Sequence, residues 1–98
     1  MPESGPYRIA VEKNVIGEYA VELEKHFRSE VDRAKGAVVL DLTAATIIDS
    51  RGVALCVGLL RECQKKDLTL TIEASPELCR FFKMLKFHRI VEFVEKTR

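Results

Sequence analysis

Val38-Val39-Leu40-Asp41-Leu42-Thr43-Ala44-Ala45-Thr46-Ile47-Ile48-Asp49-Ser50-Arg51-Gly52-Val53-Ala54-Leu55 decides the fold. Ala37 to Leu42 is a nearly continuous apolar run broken only by Asp41, which predicts a strand covered on both faces. A short loop then ends in Asp-Ser, and an almost wholly apolar stretch comes after it. That stretch predicts a helix from Ser50 or Arg51 to about Lys66, packed on a sheet between neighbours. Ser50 therefore stands where a helix begins. Unpaired N–H groups and the helix dipole favour negative charge there, so a hydroxyl at this place serves as a cap or as an attachment point for phosphate. Spacing alone favours the cap, because serine is a common one.

The flanking segments alternate in kind. Upstream, Tyr7, Ile9 and Val11 alternate with polar or small residues, which predicts a strand over Tyr7–Ile16. Gly17 breaks it. Ala20, Leu23, Phe27, Val31 and Ala34 recur at three- and four-residue steps, the stripe of a helix over Glu18–Ala34. Downstream, Leu68, Leu70 and Ile72 alternate with Thr69, Thr71 and Glu73 in a third strand ending at Ala74. Ser75-Pro76-Glu77 is a strong helix start, with serine as cap, proline first and an acid in the first turn. Leu78, Phe81, Phe82 and Leu85 give the third helix its buried stripe, and Ile90 to Val94 reads as a last strand. The order βαβαβαβ predicts a single α/β domain, a mainly parallel sheet with helices packed on it by right-handed crossovers. The domain is read over residues 1–98, with Met1 to Pro6 ragged and disordered.

Composition narrows the chemistry. The formal charge of +1 predicts no strong attraction to nucleic acid or to an anionic membrane. No signal peptide and no membrane-spanning apolar run is read, so no membrane insertion is expected. Arg80, Lys83, Lys86, His88 and Arg89 gather near the end and suit a solvated helix C-terminus. Cys56, Cys63 and Cys79 match no zinc or redox spacing and are expected to be small buried hydrophobes in a reducing cytoplasm.

An enzyme finds little support. The five glycines form no phosphate loop. His26 and His88 lack a metal-binding partner by spacing, and Ile48 and Gly52 supply only one of the two glycines of a nucleophile elbow around Ser50. Asp41 and Asp49 are better read as a loop acid and a cap than as metal ligands. No catalytic residue, metal or cofactor is expected.

In this frame the segment resembles the STAS domain (sulfate transporter and anti-sigma factor antagonist). Val38-Val39-Leu40-Asp41-Leu42-Thr43 is similar to the family's strand, and Asp49-Ser50-Arg51-Gly52 to its Asp-Ser-small-Gly motif opening an apolar helix. Leu68 to Ser75 resembles the family's next strand, and Pro76 to Phe87 its third helix, with the usual apolar strand after it. The resemblance therefore runs from Tyr7 to Val94. It implies a bacterial, cytoplasmic anti-sigma factor antagonist, a partner-switching regulator of transcription. Its partner would be an anti-sigma factor that is also a serine kinase. Phosphorylation would fall on Ser50, and Asp49, Ser50, Arg51 and Gly52 would form the partner-binding surface.

Against the family pattern, Arg51 replaces a small residue. Its cation can pair with a phosphate on Ser50 or stand in a kinase's way. The chain also reads as shortened at both ends, without the family's extra first strand and final helix. A second copy or a partner is expected to cover the exposed edges, the second copy making a homodimer. The alternative function is a non-phosphorylated STAS subunit docked on a membrane transporter of the phospholipid-trafficking ABC type.

Overall fold

A computed structural model describes residues 6–97; Met1 to Gly5, expected to be ragged, lie outside the described residues. The strands are β1 (Tyr7–Ala10), β2 (Ala37–Leu42), β3 (Thr69–Ala74) and β4 (Glu92–Glu95), and the helices between them are α1 (Gly17–Arg33), α2 (Ser50–Lys65) and α3 (Pro76–Met84). They form one four-stranded sheet in the order β1-β2-β3-β4, and every neighbouring pair is parallel. Sequential parallel strands joined by right-handed crossovers place all three helices on one face. Burial obeys that geometry. Ile9, Val38, Leu40, Leu42, Leu70, Ile72 and Ala74 share one core with Leu23, Phe27 and Val31 of α1, Leu55, Leu59 and Cys63 of α2, and Leu78 and Phe82 of α3.

Three features differ from the sequence expectation. The first strand ends at Ala10 rather than Ile16, because the backbone bends away after the Val11 N–H donates to the Asp41 carbonyl at 2.9 Å. Val11 and Val15 remain buried, so their apolarity marks core contact rather than strand. The third helix stops at Met84, so Leu85, expected in its buried stripe, lies outside it and is about half exposed. Lys86 adopts φ 60°, and a short 3-10 turn over Phe87–Arg89 precedes β4, which begins at Glu92 rather than Ile90.

The third correction concerns β2, expected to be covered on both faces. Val38, Leu40 and Leu42 face the helices, but the other face of the sheet carries side chains only. Arg8 reaches from β1 over β2 to Glu73 on β3, with Nη1–Oε1 at 2.7 Å and Nη2–Oε2 at 3.1 Å. It also lies 3.4 Å from Asp41, and Lys96 Nζ lies 3.7 Å from Glu73. Val39, the lateral neighbour of Arg8, is buried beneath this bridge. The Arg8 bond holds the Glu73 carboxyl below its ordinary pKa against the opposing effect of burial. Because Arg8 is half exposed, solvent screens the pair, and a double-mutant cycle on Arg8→Gln and Glu73→Gln should return a coupling of about 1 kcal/mol by urea denaturation. Strictly additive single variants would show that the bridge contributes nothing to stability.

Candidate functional site

The parallel sheet sends the C-terminal ends of its strands to one edge of the molecule, the edge where open α/β sheets place their sites. There the β1–α1 loop and the β2–α2 loop are tied together. Asn14 Oδ1 accepts from the N–H groups of Thr46 at 2.8 Å and Ile47 at 3.2 Å. The Val15 N–H donates to the Ile47 carbonyl, the Asp49 N–H donates to the Val15 carbonyl, both at 3.2 Å, and Val15 forms an isolated parallel bridge with Ile48.

Asp49 occupies the centre. It is the N-cap of α2, and its Oδ1 accepts from the Gly52 N–H at 3.0 Å. Its Oδ2 accepts from the Gly17 N–H, also at 3.0 Å, and Gly17 is the first residue of α1, whose own N-cap Ile16 has no side-chain cap. One carboxylate therefore caps two helices. The Gly17 and Gly52 N–H groups hold its pKa below the ordinary range, and the Arg51 N–H and charge act in the same direction. A carboxyl whose folded pKa is lowered stabilises the fold fully above the unfolded value of about 4, and the contribution is lost as pH falls through the folded value. Asp49→Asn should thus lower the unfolding midpoint at neutral pH and flatten its decline in acid. Parallel wild-type and variant curves of midpoint against pH, below about pH 4, would contradict this assignment.

With the cap supplied by Asp49, Ser50 is the first residue inside α2. It is exposed and makes no side-chain hydrogen bond among the described residues. Spacing alone favours Ser50 as the cap; that reading is corrected, and the reading of Asp49 as a cap holds. Ser75 shows what a structural serine does in this molecule: it is buried, caps α3 by accepting from the Leu78 N–H at 3.3 Å, and donates to the Ala45 carbonyl at 3.0 Å. Ser50 does none of these things.

Arg51 is exposed and borders a groove of about 630 Å³ between α1 and α2, floored by Val21, Ala54, Leu55 and Gly58. Gly52 is buried, and a Cβ there would meet the Ile48 side chain and sit 2.7 Å from the Val15 carbonyl oxygen. Asp49, Ser50, Arg51 and Gly52 are thus brought to one place. Asp41 is not among them: Thr43 donates to it through its hydroxyl at 2.6 Å and its N–H at 3.0 Å, and it faces Arg8 on the far side of the sheet. Asp41 and Asp49 do not form a common metal site, and no cluster of metal-ligating side chains occurs among the described residues.

Sequence reading missed Asn14 and took Gly17 only as the break before the first helix; both tie the neighbouring loop to the site. It also missed Ile16 and Ile47, whose side chains remain about half exposed beside it at 45% and 56%. The available signal was Val15-Ile16-Gly17 before the first helix, an apolar pair followed by a glycine with φ 58°. Cys56, Cys63 and Cys79 are free and buried, and burial pushes the Cys56 thiol up to about 12. No helix among the described residues is long and apolar enough to cross a membrane.

A search of curated proteins finds no match. Among solved structures, a candidate anti-sigma factor antagonist from Thermotoga maritima has the same fold, with a TM-score of 0.81 and 16% identity over 96% of this chain and 84% of that one. The family model of the STAS domain matches residues 5–98. With that match over nearly its whole length, and with Asp49-Ser50-Arg51-Gly52 at the head of α2, the chain belongs to the STAS domain family.

Proposed function

We propose that this protein is an anti-sigma factor antagonist, a cytoplasmic regulator rather than a catalyst, that works by switching partners. Unmodified, the edge around Asp49 and Ser50 binds an anti-sigma factor that is also a serine kinase. Phosphorylation of Ser50 ends that binding. The observation that carries the reading is the division of labour at the head of α2: Asp49 caps the helix, and Ser50 is left exposed without a hydrogen bond among the described residues.

The surroundings suit a phosphate and a protein surface. The N-termini of α1 and α2 converge on Asp49, so a new anion on Ser50 meets two positive dipole ends. Half-exposed Ile16 and Ile47 give a partner apolar contact next to the hydroxyl. Arg51 can pair with the phosphate once formed. Co-purification from the native host, combined with intact-mass measurement, tests this. Capture of a serine kinase of the anti-sigma type, with an added phosphate that disappears in Ser50→Ala, is the expected result. Capture of a permease and ATPase with no modified species would instead support the transporter-subunit alternative.

A further inference from the structure

The sheet's other end carries a surface of different character. From the end of α3 into the turn before β4, Met84, Leu85 and Ile90 are 79%, 49% and 58% exposed. Three large apolar residues are thus exposed along one short turn. Their exposure does not come from a loose turn. Phe87 lies buried beneath it, 5.5 Å from the Phe82 ring and 5.8 Å from the Phe93 ring, so the tip is built on packed aromatics.

The charge around these residues is one-signed. Between Leu78 and Val91 stand Arg80, Lys83, Lys86 and Arg89 and no acid, so the segment carries +4 in a chain of formal charge +1. Glu77 and Glu92 flank it outside. At the other helix C-termini Arg33 pairs with Glu30 at 3.9 Å, Lys65 with Glu62 at 3.5 Å and Lys66 with Asp32 at 2.9 Å, while Lys35 and Arg61 have no ion pair among the described residues. Arg80, Lys83, Lys86 and Arg89 form no ion pair among the described residues.

We propose that this turn docks on an anionic lipid bilayer, with Met84, Leu85 and Ile90 entering the headgroup region and the four cations holding the lipid phosphates. Long Lys and Arg stems tolerate that arrangement, lying along the apolar boundary with their heads in the polar layer. The position leaves the Ser50 edge clear. α3 begins beside that edge, where Ser75 bonds Ala45, and runs to the opposite end of the sheet. A docked molecule therefore presents Ser50 away from the bilayer.

Co-sedimentation of the full chain with phosphatidylcholine vesicles, with and without about one-third phosphatidylglycerol, tests the proposal. Each basic residue at an anionic surface is worth about fivefold in partitioning. The protein should prefer the anionic vesicles by at least about twenty-five-fold, and Lys83→Gln with Lys86→Gln should reduce that binding about twenty-five-fold. Met84→Ser with Ile90→Ser, both at exposed positions and checked for an unchanged unfolding midpoint, should also weaken it at constant charge. Equal partitioning to both vesicles would overturn the proposal. So would anionic-vesicle binding indifferent to Met84→Ser and Ile90→Ser, since charge alone would then act and the turn would suit an acidic protein surface instead.

Discussion

On the proposed function, a phosphate on Ser50, or Asp in its place, should weaken binding to an anti-sigma partner by at least about a hundredfold and leave the unfolding midpoint unchanged. The two halves of this result have separate causes. Phosphate adds about −1.5 to −2 charges at neutral pH. In the isolated protein that charge lies in water at a helix N-terminus, where it is favoured by about 0.3–1 kcal/mol. Repulsion from Asp49 opposes this, but that carboxylate is already engaged by the Gly17 and Gly52 N–H groups. In a complex the same charge is stripped of water beside Asp49 and against a surface matched to a hydroxyl. Like charges or an unpaired ion in an interface cost several kcal/mol, and about 1.4 kcal/mol is tenfold in affinity. Isothermal titration and thermal unfolding of Ser50→Asp and of the phosphorylated protein measure both halves. Equal affinities of modified and unmodified protein would sink the switch, and a collapse of the midpoint would show that modification acts by unfolding.

Gly52→Ala should destabilise the fold by about 3 kcal/mol, the upper range for forcing an added methyl into packed space. The new methyl would press on Ile48 and on the Val15 carbonyl oxygen, 2.7 Å from the ideal Cβ position. Ile48 is buried and β-branched, and its contacting Cγ1 has little freedom to turn aside. The Val15 carbonyl cannot move without releasing the Asp49 N–H, and with it the tie between the two loops that presents Ser50. Gly58→Ala is the internal control. It lies in the same helix, its added Cβ meets nothing within 4 Å, and the exchange should stabilise by about 1 kcal/mol through helix propensity. Urea denaturation of the two variants reads opposite signs. A neutral Gly52→Ala would mean that the loop closes over α2 less tightly than described.

The alternation of strand and helix was legible because each element announces itself over at least one full period. α1, α2 and β2 fall within one residue of their expected bounds, since glycine, the Asp-Ser pair and an unbroken apolar run punctuate them. What escaped were properties that need the third dimension. Val11 and Val15 are as apolar as strand residues because they sit in the core, although the chain leaves the sheet after Val11 and Val15 makes only an isolated bridge to Ile48 outside the strands. Val39 is covered by an arginine from the neighbouring strand, which no local pattern foretells. The formal charge of +1 averages a cationic turn with an acidic remainder. Asp49 and Ser50 are both good cap residues, and the sequence offered each of them for the role. Only the bonds to Gly52 and Gly17 give that role to the carboxylate.

The central claim is that Ser50 is held for modification and not for the fold, and equilibrium denaturation of Ser50→Ala tests it without a partner. Removing a serine cap typically costs about 1 kcal/mol. The structure predicts a change within a few tenths of a kcal/mol, because Asp49 keeps the cap and the Ser50 hydroxyl has no bond to lose among the described residues. A loss of about 1 kcal/mol or more would make Ser50 the cap and contradict the account.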